Sequence, residues 1–141
     1  MIYQISIPYQ PYSLNDYTRV ERSNKFAAAG MKKKYEIQIA YMVKALKLQP
    51  LPLKQYDILV HHQLLDNRTD SDNIHYGIKP VLDGLVKAGI LANDNPKNVR
   101  NILHLRSKAE NYSMELYFVP ANQNPGLINL LLATLEGDHE R

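Results

Sequence analysis

Residues Arg68–Val99 read R-T-D-S-D-N-I-H-Y-G-I-K-P-V-L-D-G-L-V-K-A-G-I-L-A-N-D-N-P-K-N-V, and the rest of the chain is read outward from them. Ile74, Ile78, Val81, Leu82 and Leu85 recur at the spacing of one helical face, and Gly89 is a natural residue just past a helix end. Pro80 would break a continuous helix. The regular helix is therefore expected to begin near Lys79 with Pro80 at its first position, after a turn at His75-Tyr76-Gly77. Around this helix stand Asp70, Asp72, Asp83 and Asp94, all but one outside the apolar repeat.

Asp70-Ser71-Asp72 leaves a strand, and in an extended chain residues i and i+2 look to the same side. Carboxylates that close repel unless a cation neutralises them. Hard oxygen donors at this density suit Mg²⁺, with Mn²⁺ as a substitute. Alone, D-x-D also occurs in solvated turns and in sugar-nucleotide enzymes, although this chain has no Gly-rich phosphate loop. Asp83 lies one turn into the helix, where the dipole favours an acid, so it reads equally as structural or catalytic. Asn93-Asp94-Asn95-Pro96 is a turn, which by itself could account for Asp94. A loop after a buried helix can also return Asp94 to the Asp70/Asp72 end of a sheet. Lys79 would bring positive charge to the same place, where it could stabilise a phosphate under attack.

Upstream, Tyr56–Leu65 reads as an interior strand, with Ile58, Val60, His62 and Leu64 on one face and Leu59 on the other. His61 and His62 then point apart and read as structural. Pro50-Leu51-Pro52 is a rigid connector. From Gly30, a helical face of Met31, Tyr35, Ile39, Met42 and Leu46 runs to Pro50. Lys32-Lys33-Lys34 at its start opposes the helix dipole, which favours a task for them such as phosphate contact. Ile2–Ile7 alternates as a short strand, and Pro8–Asn15 reads as an irregular loop. Arg19, Arg22 and Lys25 follow, interleaved with Tyr9, Tyr12 and Tyr17. Such a mixture can stack on bases and contact phosphates, or the tyrosines can cover a core edge.

Downstream, Val99–Ser107 and Tyr112–Val119 read as strands joined in a hairpin through Lys108-Ala109-Glu110-Asn111. Leu103 and Leu105 are expected to face Met114, Leu116 and Phe118 in the core. Asn124-Pro125 opens a last helix with a stripe of Leu127, Ile128, Leu131, Leu132 and Leu135, and a polar tail begins at Gly137.

The chain has 141 residues, 45% hydrophobic and 22% charged, which describes one ordinary globular domain spanning 1–141, with 121–141 as C-terminal helix and tail. The expected class is α+β, a mixed β-sheet packed with helices. No cysteine is present, which excludes disulfides, zinc–thiolate sites and cysteine nucleophiles. No apolar run approaches a membrane span, and Met1-Ile2-Tyr3-Gln4 lacks the regions of a signal peptide, so a cytoplasmic location with no membrane partner is expected. A net charge of +3 and an isoelectric point near 9.0 lean toward a polyanionic partner.

Taken together, these residues are similar to the RusA family of Holliday junction resolvases. Asp70, Asp72 and Asn73 match its D-x-D-N, Lys79 and Leu82-Asp83 match its lysine and apolar-x-Asp helix, and Lys87-Ala88-Gly89 with Asp94 completes the pattern. Ile7–Asn15 also resembles the family's opening strand and P-S-x-N loop, so the likeness spans most of residues 2–120. Two departures stand out. The interval from Asp72 to Lys79 is longer than the family's by the length of His75-Tyr76-Gly77, and Asn93 replaces one acid of a pair.

The resemblance implies a RusA-like homodimer acting as a Mg²⁺-dependent endonuclease that resolves four-way DNA junctions by paired nicks in recombination and repair. Asp70, Asp72 and Asp94 would hold the metal, Asp83 would be a fourth ligand or an acid behind them, and Lys79 would be the catalytic cation. Arg19, Arg22, Lys25, Lys32, Lys33 and Arg68 would contact DNA. Such a protein would work in a bacterial cytoplasm, or in a host's if phage-encoded. The alternative is a branched-DNA-binding protein of the same fold with weakened catalysis.

Overall fold

The chain forms four strands, β1 (Tyr3–Ile7), β2 (Tyr56–Leu64), β3 (Val99–Lys108) and β4 (Ser113–Pro120), of which β2 is buried on both faces. The structure is a computed structural model that describes residues 2–8, 14–65, 74–122, 129–130 and 133–134, with the side chains of 14–17 excepted. The class is α+β, with a mixed four-stranded sheet and three helices among the described residues. The strands belong to one compact unit, Met1–Tyr9, Pro52–Leu65 and Asn95–Arg141. The helices belong to a second, Gln10–Leu51 and Asp66–Asp94.

The sheet order is β1-β4-β2-β3. β4 is antiparallel to both β1 and β2, whereas β3 is parallel to β2. Directly opposed residues share a face, so the register places Ile5, Leu116 and Val60 together, beside Ile58 and Phe118. These five are buried, and Tyr56 meets the rings of Tyr3 and Phe118 edge-on at 6.1 and 6.0 Å. The interior placement expected of β2 is therefore correct.

The hairpin expected between β3 and β4 does not form, because β2 lies between them. Two adjacent β-patterned runs and a short polar turn cannot reveal that a third strand separates them. The same error displaced Leu103 and Leu105. They register with Leu59 and His61, on the face opposite Met114, Leu116 and Phe118. There Leu105, Tyr117 and Leu130 pack on Leu59 and Val119. Residues 129–130 and 133–134 are helical, with Thr134 Oγ1 donating to the Leu130 carbonyl at 2.8 Å. All five members of the expected C-terminal stripe, Leu127, Ile128, Leu131, Leu132 and Leu135, lie outside the described residues.

In the helical unit, α1 (Leu14–Ser23) and α2 (Lys25–Ala45) are separated only by Asn24. Its Oδ1 accepts from Phe26 N at 2.9 Å and Ala27 N at 3.2 Å, an N-cap that satisfies two otherwise orphaned donors. Leu14 and Asn15 therefore begin a helix instead of ending a loop. α2 also starts five residues before Gly30 by sequence, so Lys32-Lys33-Lys34 stand inside it and not at its positive end. The dipole argument for a task there falls away. Leu46 lies past the helix end, half exposed.

α3 (Ile78–Lys87) ends in a Schellman turn: Gly89 N donates to Val86 O and Ile90 N to Leu85 O, both at 3.0 Å, with Gly89 at φ +79°. α2 and α3 pack closely through Gly84. A Cβ there would stand 2.6 Å from Ile39 Cγ2 and 3.1 Å from the Glu36 carbonyl. Buried Ile39 and Val43 of α2 and Val81 and Leu85 of α3 are among the residues that bury these helices.

Candidate functional site

Four of the proposed residues, Arg68, Asp70, Asp72 and Asn73, lie outside the described residues. Description resumes at Ile74 with one helical turn, in which Gly77 N donates to the Ile74 carbonyl at 3.0 Å. α3 then starts at Ile78, one residue earlier than expected. Pro80 thus sits at its third position, where its missing N–H would have had no partner within the helix. Gly77 caps the helix with no side-chain hydrogen bond.

This start places Lys79 in the first turn of α3, the end where the helix dipole disfavours a cation. Two carboxylates hold it there. Lys79 Nζ donates to Asp94 Oδ2 at 2.7 Å and to Asp83 Oδ1 at 3.0 Å. The Asp94 bond, opposed by partial burial and aided by Asp83, raises the lysine above its ordinary value. Lys79 is accordingly a fixed cation near neutral pH and not a proton acceptor. The same bond holds the Asp94 carboxyl below its usual value. Asp94 is also placed by its own turn, its N donating to Asn93 Oδ1 at 2.7 Å. Asn93 therefore has a local structural task in which its amide oxygen serves as a carboxylate oxygen would. The trio is open to water: the side chains of Lys79, Asp83 and Asp94 are 52%, 34% and 25% exposed.

A magnesium ion keeps several waters and is typically bound through one or two ionised carboxylates. Asp94, held in its charged form, fits that preference, and Asp83 adds a second carboxylate bonded to the same ammonium. Asp70 and Asp72, the other proposed ligands, belong to the stretch outside the described residues. Among the described residues no three histidine, aspartate or glutamate side chains form a metal-binding group.

The proposed DNA contacts divide between two helices. Arg19 and Arg22 are exposed on α1, where with Thr18 and Ser23 they line an open depression. Lys25, Lys32 and Lys33 are exposed on α2, and Lys25 and Lys32, seven residues apart, share one side of it.

Sequence reasoning missed a second charged cluster, in the sheet unit. Asp57, only 4% exposed, accepts from Arg100 Nε at 3.1 Å and Nη2 at 2.6 Å, and from Asn101 N and Nδ2 at 3.1 and 3.0 Å. Burial pushes this carboxyl up, but the Arg100 and Asn101 donors together outweigh it and leave it below its ordinary value. An aspartate beside the apolar run Ile58-Leu59-Val60 of an interior strand was the signal, since a buried carboxylate needs a partner. His61 and His62 are buried, as expected for structural residues. His61 Nε2 meets Ser107 Oγ at 2.6 Å. His62 Nε2 meets His104 Nδ1 at 2.8 Å, with the two rings stacked. No helix among the described residues is long and apolar enough to cross a membrane.

No family model matches the chain, and no curated protein matches it.

Proposed function

We propose that this protein is a RusA-like, Mg²⁺-dependent endonuclease that nicks four-way DNA junctions, working as a homodimer. The observation that carries the reading is the convergence of Lys79 and Asp94, far apart in sequence and each implied by the resemblance, on one 2.7 Å ion pair. Asp83, whose role sequence left open, is bonded to the same lysine.

On this reading Asp70, Asp72 and Asp94 hold the ion, with Asp83 as a further oxygen donor or as the group that positions Lys79. When bound, Mg²⁺ supplies water activation and neutralises charge on the leaving oxygen. Lys79, kept protonated by its two acids, carries a positive charge to the phosphate in flight. The exposed cations of α1 and α2 hold the DNA backbone, a sequence-independent grip that salt weakens. Resolution needs two nicks related by symmetry, which a C₂ dimer with one site per subunit would provide.

A branched-DNA-binding protein with weakened catalysis is the second reading, favoured by Asn93 standing where the family pattern has an acid, which removes one negative charge beside Asp94. Incubating four-way, flap and linear DNA with Mg²⁺ and mapping the nicks separates them. Symmetric junction nicks lost in Asp70→Asn, with binding kept, support the nuclease. Junction binding without cleavage in Mg²⁺ or Mn²⁺ supports the second reading, and no preference for branched DNA overturns both.

A further inference from the structure

Phe26 is the most exposed large apolar side chain among the described residues, at 90%. A phenylalanine in that state forgoes the burial that ordinarily retains it. Its place on the backbone is nevertheless well determined, because its own N–H is one of the two donors bound by the Asn24 cap at the start of α2. The ring is thus carried outward from the first turn of a capped helix.

The surroundings are strongly basic. Between Thr18 and Lys34 the chain carries Arg19, Arg22, Lys25, Lys32, Lys33 and Lys34 against a single acid, Glu21. Phe26, Ala29, Gly30 and Lys33 fall at i, i+3, i+4 and i+7 and form one exposed stripe along α2. The ring and the Lys33 position are separated by about 10 Å along the helix axis. Little stands between them: a Cβ at Gly30 would meet nothing within 4 Å. A second copy of this chain on this face would set like charges against each other. A polyanion with exposed aromatic faces suits both the charge and the ring.

We propose that Phe26 is a stacking platform for an unpaired base of DNA, with Arg22, Lys25 and Lys33 holding the neighbouring phosphates. This inference rests on the nucleic-acid reading above and deepens it by naming unpaired bases, not duplex, as what this face takes. Bases inside a duplex are stacked on one another and present no free face, whereas a single strand or an opened branch point does. The ring selects for unpaired bases, and the cations bind either form.

The test is fluorescence anisotropy in EDTA, which prevents cleavage, on an oligothymidylate strand, a four-way junction and a linear duplex. Phe26→Ala is expected to weaken single-strand binding by about tenfold or more, to weaken junction binding less, and to leave duplex binding unchanged. Phe26→Trp restores single-strand affinity. Because the ring is exposed, both variants should melt like the wild type. Equal losses on all three probes, or wild-type affinity of Phe26→Ala for the single strand, overturn the stacking role while the nucleic-acid reading stands. A wild-type protein that binds none of the probes overturns both. If Phe26→Ala dissociates a dimer in light scattering with DNA binding unaltered, the ring belongs to a contact between copies and the proposal fails.

Discussion

Two acid–base clusters in this chain use the same chemistry for opposite ends. In the sheet unit, Asp57 is 4% exposed and takes four hydrogen bonds from Arg100 and Asn101, so its acceptor capacity is consumed within the fold. In the helical unit, Lys79 bonds Asp83 and Asp94, and the three side chains remain a quarter to a half exposed. Water, a metal ion or a phosphate can reach the second cluster. The difference teaches that perturbed ionisation alone does not mark a functional site, since Asp57 and Asp94 are both shifted downward. What separates them is the unspent bonding capacity and the access to solvent.

The largest expected effect tests the assignment of chemistry to the open cluster. Asp94→Asn and Lys79→Ala should each slow Mg²⁺-dependent junction nicking by about 100- to 1,000-fold in single-turnover assays, with the fold intact. Asp57→Asn should leave the rate of the folded protein unchanged. A loss in Asp57→Asn as large as in Asp94→Asn would break the contrast.

Stability should show the reverse order. Asp57→Ala removes a buried, bidentate partner of Arg100 and is expected to cost about 2–4 kcal/mol by equilibrium denaturation. The guanidinium left behind can turn to solvent, since Arg100 is 38% exposed, which keeps the cost below that of a stranded buried charge. Lys79→Met should cost less than about 1 kcal/mol, as for an exposed ion pair.

A smaller effect tests the platform that carries the open cluster. Gly84→Ala normally gains helix propensity, but here the new methyl meets Ile39 and the Glu36 carbonyl. A net loss of about 1–2 kcal/mol is expected. Unchanged or higher stability would mean that α2 and α3 separate easily.

The smallest effect is in acid. The folded Asp57 carboxyl lies below its unfolded value, so its contribution is present above about pH 4 and is lost as pH falls through the folded value. Wild-type stability should accordingly drop more steeply than that of Asp57→Asn as pH falls below about 4. Asp94 is shifted in the same direction and loses its contribution in the same acid range, but its exposed partner makes that loss smaller. Denaturation at stepped pH measures both. Equal slopes in wild type and Asp57→Asn would contradict the assignment.

Much of this is legible in the sequence. Gly89, the β2 residues and the α3 face reported themselves through glycine's tolerance of positive φ and through periods of two and 3.6, which are properties of the local backbone. Lys79 and Asp94 were nominated by residue type and by resemblance. Asn24 carries its capping signal in its residue type, but the apolar period that marks α2 in the sequence becomes clear only from Gly30, five residues past the true start.

Other features depend on which distant segments meet. That β2 separates β3 from β4, and that Leu103 and Leu105 share a face with Leu59, follows from strand order, on which a short polar turn is silent. That Asp57 finds Arg100, that Gly84 is required by Ile39, and that Lys79 bonds both Asp83 and Asp94 are likewise tertiary facts. Local sequence determined the elements because backbone geometry and capping act over a few residues. Only the tertiary structure decided which charges were consumed by the fold and which were left open to solvent, because burial and pairing are made by segments far apart in the chain.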